Sequence, residues 1–123
     1  MQVGVLKTIA ACLNAGGGTL MVGVSDEGQA LGLKADGFSN EDKMSLHLVN
    51  LIRDRIGELF LPYVHPEFVE HDGETILSVR CERGPTPAFV KDGNVQKFFV
   101  RAANATAELA GTSMLEYTKA RFK

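Results

Sequence analysis

The segment Lys7–Val24, KTIAACLNAGGGTLMVGV, decides how this chain folds. Apolar side chains at its start and just before it have the i, i+3, i+4 and i+7 spacing of one helix face. They are Leu6, Ile9, Ala10 and Leu13. The glycines Gly16–Gly18 end that helix after Asn14, because glycine reaches the left-handed conformation of helix ends without steric cost. The apolar run Thr19–Val24 then predicts a short strand buried on both faces.

Two further helices are predicted after this segment. Ser39 opens a capping box, and the apolar stripe behind it predicts a helix that reaches Leu59. Ser113 opens a second capping box, and a final helix is predicted over Met114–Phe122.

Two hairpins are predicted between these helices. Asp72-Gly73 is a type I′ turn signal between strands over Glu67–His71 and Thr75–Glu82. A second hairpin is centred on Asp92-Gly93-Asn94, and Ala102–Ala110 is predicted to be irregular. The sequence therefore predicts an α+β fold: a mixed, mostly antiparallel sheet built from hairpins, with about three packed helices.

The composition excludes several classes of protein. With 123 residues, 45% hydrophobic and 23% charged, the chain is expected to form one globular domain over residues 1–123. Its apolar runs are far shorter than the roughly 20 residues of a membrane helix, and no secretory signal is visible. Cys12 and Cys81 are too few for a disulfide framework, so we expect free thiols in a reducing cytoplasm.

The charges are unevenly distributed along the chain. The formal net charge of −2 argues against a nucleic-acid binder that acts through bulk positive charge. Residues 1–79, however, carry five basic and eleven acidic side chains, whereas residues 80–123 carry eight basic and four acidic ones. A folded domain is able to present these two groups of charges on different faces.

Most motifs of enzyme chemistry are missing from the sequence. The glycines Gly16–Gly18 follow a helix rather than opening one, and no lysine adjoins them, which disfavours a phosphate-binding loop. There is no Gly-x-Ser-x-Gly elbow. His47, His65 and His71 have no metal-ligand partners at a convincing short spacing. We therefore expect no metal and no cofactor. Asp26, after the predicted buried strand, is either a turn residue or a catalytic acid.

The basic half of the chain contains a pattern suited to nucleic acid. Lys97, Phe99 and Arg101 share one face of a predicted strand, since side chains alternate with a period of two. Two cations around an aromatic ring suit phosphate contact combined with base stacking. The alternative is that Phe99 belongs to the core and the cations are solvated beside it. The residues alone leave both interpretations open.

Several of these motifs together resemble one known family, the Schlafen-type, AlbA-like DNA-binding domain. The resemblance extends over nearly the whole chain. It is carried, in this order, by Lys7–Val24, the turn Ser25–Gly28, the segment Gly84–Pro87 and the ending Phe98–Thr106, which contains an Arg-x-x-x-x-Thr pattern.

The resemblance implies a nucleic-acid-binding domain, for DNA or RNA, in a cytoplasmic bacterial transcriptional regulator that contains further modules. Arg101 matches the arginine block of the family, and Asn104 and Thr106 add polar groups beside it. The candidate nucleic-acid contacts are Lys97, Phe99, Arg101, Asn104 and Thr106.

One departure from the family concerns catalysis. The family opens with a strand that carries two glutamates, and in Schlafen-type nucleases these join an aspartate after the Gly-Val strand in an acidic site. Asp26 lies at that aspartate's position or one place from it, but the opening strand is missing here. We therefore expect a fragment of a longer protein that is non-catalytic as it stands. The alternatives are a metal-dependent nuclease domain with an incomplete acidic site, and an interaction module that forms homo-oligomers or docks other domains of the same chain.

Overall fold

A computed structural model describes residues 3–22, 41–103 and 105–122 of the chain. Asp26 with its turn, the predicted Ser39 cap and Asn104 lie outside the described residues. The elements, in chain order, are α1 (Val3–Asn14), β1 (Gly18–Val22), α2 (Glu41–Arg55), a 3₁₀ helix (Glu58–Tyr63), β2 (Val64–His71), β3 (Glu74–Cys81), β4 (Phe89–Asp92), β5 (Val95–Ala102), β6 (Ala105–Leu109) and α3 (Gly111–Arg121).

The strands of the described residues form two three-stranded sheets in which every pair is antiparallel. The first sheet has the order β1-β3-β2, and the second sheet has the order β4-β5-β6. Three α-helices and one 3₁₀ helix accompany these strands. The predicted α+β class, built from hairpins with about three helices, is therefore confirmed, with the described strands divided between two sheets.

Helix α1 contacts both sheets and forms the centre of the core. It is buried around nearly its whole circumference, and its side chains with at most 4% exposure are Leu6, Ile9, Ala10, Ala11, Cys12, Leu13 and Asn14. The apolar members of this set pack in one cluster with Leu77 and Val79 of the first sheet and with Val90 and Phe99 of the second. A helix that is apolar on all sides is the kind that becomes enclosed in this way.

The two predicted hairpin turns have the backbone conformations that their residues favour. Asp72 has a φ of 52° and Gly73 a φ of 79°, as the predicted type I′ turn between β2 and β3 requires. Gly93 has a φ of 65° in the turn between β4 and β5, where Asp92 pairs with Val95. Both predicted hairpins are confirmed.

A third hairpin joins β5 and β6, where the sequence predicts irregular structure. That prediction is wrong: β6 pairs along β5, with Arg101 opposite Thr106. The β6 sequence ATAEL contains one β-branched residue and no aromatic one, so strand propensity does not indicate it. Ala103, in the turn, has a φ of 56°, a left-handed conformation that costs a non-glycine residue about 1 kcal/mol.

Two helix ends differ from the predictions. Helix α2 ends at Arg55 rather than Leu59, because Gly57 takes a φ of 139° and the chain continues as the 3₁₀ helix. Helix α3 begins at Gly111, preceded by Ala110, so Ser113 lies inside the helix and does not cap it. The apolar stripe thus overestimates the length of α2, and the Ser113 capping pattern places the start of α3 too late.

Strand β1 is not buried on both faces, contrary to the prediction. Leu20 and Val22 pack against the core, whereas Thr19 and Met21 are exposed, Met21 to 48%. The physical reason is that β1 belongs to an antiparallel sheet with α1 on one face, and such sheets alternate between core and solvent.

Candidate nucleic-acid interface

Asn14, the last residue of α1, fixes the second sheet against that helix. Its side chain is fully buried, and its Nδ2 donates to the carbonyl oxygens of Ala88 at 2.9 Å and Phe99 at 2.8 Å. Its Oδ1 accepts from the Ala88 N–H at 2.7 Å. The side-chain amide thus bridges the residue before β4 and the middle of β5, as a backbone peptide group does in a ladder. The sequence pattern indicates for Asn14 only the end of a helix.

The carboxyl end of α1 is closed by side chains from α3. The Arg121 guanidinium donates to the carbonyl oxygens of Ala15 at 3.0 Å, Gly84 at 2.9 Å and Leu13 at 3.3 Å. The Tyr117 hydroxyl donates to the Asn14 carbonyl at 2.7 Å. A cation is favoured at a helix C-terminus, where carbonyl groups lack helical partners. Arg121 is therefore part of the framework, and its charge is engaged within the domain.

The glycine loop after α1 is a helix end, as the sequence indicates. The N–H of Gly17 donates to the Cys12 carbonyl at 3.0 Å, and Gly17 has a φ of 95°. The loop therefore closes the carboxyl end of a helix, which is negative, rather than the amino end that binds anions. This geometry argues against phosphate binding by Gly16–Gly18.

The two cysteines are free and buried. Cys12 is 4% and Cys81 is 3% exposed. Burial raises the pKa of both thiols; for Cys81, burial together with the neighbouring Cys12 raises the pKa to about 12. The predicted free thiols are therefore confirmed within the described residues.

We expect these thiols to react slowly in the folded protein. At pH 8 a thiol-specific disulfide reagent should modify Cys12 and Cys81 at least 100-fold more slowly in the folded protein than in the protein denatured in 6 M guanidinium. The reason is that only thiolates react. The raised pKa values also mean that the thiols favour the folded state below pH 9 and stop doing so as pH rises towards 12. Fast labelling of the native protein would contradict this burial.

Lys97, Phe99 and Arg101 lie on the face of β5 that α1 covers. Phe99 is 5% exposed and belongs to the core cluster, with the Lys7 ammonium 5.4 Å above its ring centroid. Lys97 pairs with Asp92 at 3.2 Å from Nζ to Oδ2, and Arg101 donates to the Thr106 hydroxyl at 2.9 Å. The structure thus brings four of the predicted site residues, Lys97, Phe99, Arg101 and Thr106, onto β5 and β6.

The stacking role predicted for Phe99 does not fit this conformation. A base stacks on an exposed ring, whereas one face of Phe99 is in the core and Lys7 lies over the ring. The core interpretation of Phe99 therefore replaces the stacking interpretation. Lys7 joins the cations of β5 instead, which sequence spacing could not show. Its only signal was its charge on an otherwise apolar helix.

A carboxylate lies among cations at one end of this face. The hydrogen bond and charge of Lys97 lower the pKa of Asp92, and the positive charges of Arg55 and Lys7 lower it further. Arg55 also donates from Nε to the Lys91 carbonyl at 2.6 Å, which joins the end of α2 to β4. Lys97 thus contacts Asp92 directly, and the charges of Arg55 on α2 and Lys7 on α1 act on it from further away.

Acidic side chains concentrate on the other sheet. Exposed carboxylates occur along the hairpin of β2 and β3, at Glu67, Glu70, Asp72 and Glu74. The cations described above belong to the second sheet and to the helices beside it. The separation between the two sheets is partial, because the second sheet also carries Asp92 and Glu108, and Glu108 lies opposite Phe99.

The histidines of the described sheets, His65 and His71, each lie beside a carboxylate. His65 pairs with Glu82 at 2.6 Å, and the hydrogen bond from His65 lowers the pKa of Glu82. His71 lies 3.4 Å from Asp72. Within residues 3–22, 41–103 and 105–122, no group of three His, Cys, Asp or Glu side chains is placed to hold a metal ion. The same ranges contain no helix with the length and apolar character needed to cross a membrane.

The comparison with protein families assigns this chain. The model of the family described as Schlafen, AlbA_2 matches residues 1–110, and the chain belongs to this family. The suspected resemblance is therefore confirmed. No curated protein matches the chain.

A solved structure with the same fold is that of the DIP2311 protein from Corynebacterium diphtheriae. The TM-score is 0.69 and the sequence identity is 18%, and the match covers 96% of this chain and 21% of that protein. At this identity the likeness concerns the fold alone. The chain spans about a fifth of the length of that protein.

Proposed function

We propose that this domain binds nucleic acid through the half-buried cations Lys7, Lys97 and Arg101 where the second sheet meets α1, as the DNA-binding part of a bacterial transcriptional regulator. The observation that carries the proposal is the placement of Lys97 and Arg101 on one strand face with Lys7 between them, over the Phe99 ring. Lys97 and Arg101 are four residues apart on β5, which corresponds to about 13 Å along a strand. A row of cations of this length suits a nucleic-acid backbone rather than a single small anion.

The polar groups beside Arg101 complete the proposed contact surface. Thr106 lies opposite Arg101 on β6, and its hydroxyl already orients the guanidinium at 2.9 Å. Asn104, outside the described residues, lies between Arg101 and Thr106 in the sequence. Side-chain hydroxyls and amides commonly contact phosphates and sugars, which position a protein without reading sequence. We therefore propose backbone contacts by Lys97, Arg101, Asn104 and Thr106.

The separation of charge reconciles this proposal with the net charge of −2. The field near a surface depends on the charges close to it, and exposed charges beyond about 10 Å are largely screened at 0.1 M salt. The acidic hairpin of β2 and β3 is on the other sheet, so it contributes less to the potential at the face of β5. Binding of moderate affinity with a clear salt dependence is the expected behaviour.

A binding experiment with matched variants tests the proposal. The Lys97→Ala/Arg101→Ala variant should bind labelled DNA or RNA roughly 10-fold more weakly, and the slope of log affinity against log salt should fall by about 2. The control Arg80→Ala/Lys119→Ala removes the same two charges from exposed positions on β3 and α3. It should change the affinity less than twofold.

Two results would contradict the proposed function. One is that the unaltered domain binds neither DNA nor RNA at 20 mM salt. The other is that the control double variant loses as much affinity as the Lys97/Arg101 variant, because bulk charge rather than this face would then determine binding.

A further inference from the structure

We infer that Asp92 is an internal competitor for phosphate: its carboxylate is paired with Lys97, on the side of the sheet where Arg55 and Lys7 also lie, at the position that a backbone phosphate of bound nucleic acid takes. The inference rests on the proposed function and adds a means of regulation to the same site. Asp92 would hold the affinity for nucleic acid down until a polyanion displaces it from its cations.

The register of the second sheet places Asp92 on the cationic face. Val90 pairs with Lys97 and Asp92 pairs with Val95, and side chains directly opposite each other in an antiparallel pair share a face. Val90 belongs to the core cluster under α1, so this face is the one that α1 covers. Asp92 extends the same face beyond the core, and its Oδ2 lies 3.2 Å from the Lys97 Nζ.

Two of the three cations are held by contacts that do not involve Asp92. Arg55 is fixed by its hydrogen bond to the Lys91 carbonyl, at 2.6 Å. Lys7 lies over the Phe99 ring, 5.4 Å from the centroid, on a helix that is otherwise enclosed. Arg55 and Lys7 are therefore in place before any ligand arrives, and loss of the Asp92 charge leaves Lys97 without its ion-pair partner.

A phosphate is able to take the place of the Asp92 carboxylate, because the two groups match in charge. A phosphodiester carries one negative charge on two non-bridging oxygens, as a carboxylate does, so the same N–H donors are able to serve either group. The side chains of Asp92 and Lys97 are 53% and 32% exposed, so a ligand reaches the pair from solvent. Exposed ion pairs are weak enough to be exchanged in this way.

The test is the affinity of Asp92→Asn for a fluorescein-labelled DNA duplex of about 20 base pairs and a labelled RNA of the same length. The variant should bind the better of these probes at least about 10-fold more tightly than the unaltered domain at 0.1 M salt. Asp72→Asn is the matched control, because it removes the same charge from the acidic hairpin. Asparagine also tolerates the left-handed conformation at that position, where φ is 52°. The control should change the affinity less than twofold.

Further variants test which cations are responsible for the gain in affinity. In the Asp92→Asn background, Arg55→Gln or Lys7→Gln should remove most of the gain, since these cations would hold the phosphate. Circular dichroism and thermal unfolding establish that each variant is folded. Asp92→Ser replaces Asp92→Asn if the latter does not fold.

The outcomes separate this inference from the proposed function. Binding by the unaltered domain with no gain in Asp92→Asn, or with an equal gain in Asp72→Asn, overturns the inference and leaves the proposed function standing. Binding that only Asp92→Asn shows supports the inference. Absence of binding by every variant overturns both.

Discussion

Replacement of Asn14 by alanine should lower the free energy of unfolding by about 4 kcal/mol. The side chain is fully buried and makes hydrogen bonds to the Ala88 N–H, the Ala88 carbonyl and the Phe99 carbonyl. Alanine leaves these three backbone groups without partners, and each buried orphan costs roughly 1–3 kcal/mol. Against a typical total of roughly 5–15 kcal/mol, the loss brings the domain close to unfolding. Urea titration followed by circular dichroism measures it.

The same substitution at Asn50 is the control. Asn50 is an exposed residue of α2 whose side-chain oxygen accepts from Arg53 at 3.3 Å. Asn50→Ala should change the stability by less than about 0.5 kcal/mol, because exposed polar contacts contribute little. A loss below 1 kcal/mol for Asn14→Ala would show that the amide bridge does not hold the second sheet to α1.

Replacement of Gly17 by alanine should lower the free energy of unfolding by about 3 kcal/mol. Gly17 has a φ of 95°, and a Cβ built on it lies 2.7 Å from the backbone oxygen of Cys81. The left-handed conformation costs an alanine roughly 1–2 kcal/mol, and the overlap forces β3 away from the end of α1 at a further cost. The midpoint of thermal or urea unfolding reports the change.

The neighbouring glycine provides the control for this prediction. A Cβ at Gly16 has no heavy atom within 4 Å, so Gly16→Ala should leave the stability nearly unchanged. If the two variants lose equal stability, the cost comes from general flexibility of the loop and not from the approach of β3. The three adjacent glycines are thus expected to differ in importance, although they look equivalent in the sequence.

Local sequence patterns predicted which helices, strands and turns form better than they predicted how these elements pair and pack. The turn Asp72-Gly73 has the backbone angles that its residue types favour, because a two-residue hairpin loop is decided by its own φ values. Strand β6 was missed because its stability comes from pairing with β5, which no local propensity records. The extent of burial of α1 depends on how many sheets pack on it, and periodicity alone indicates only one face.

The candidate site was likewise predicted in part, since strand periodicity was informative and tertiary packing could not be foreseen. Period two placed Lys97, Phe99 and Arg101 on one face, and the structure agrees with that placement. The burial of the Phe99 side chain could not be predicted, because it depends on the packing of α1 over β5. Lys7, Arg55 and Asp92 are distant in sequence, and only the packing of α1 and α2 against the second sheet brings their charges together.

The sequence by itself determined the order of the α-helices and of the strands other than β6, the glycine turn after Asn14 and the family, because these depend on residue types at short spacing. Only the tertiary structure decided which glycine is indispensable, which aromatic ring is core, and which cations share a face with Asp92. The physical reason is that burial and electrostatic interaction depend on distances between residues far apart in the chain. In this protein α1 sets those distances, and Asn14 at its end anchors the second sheet to it.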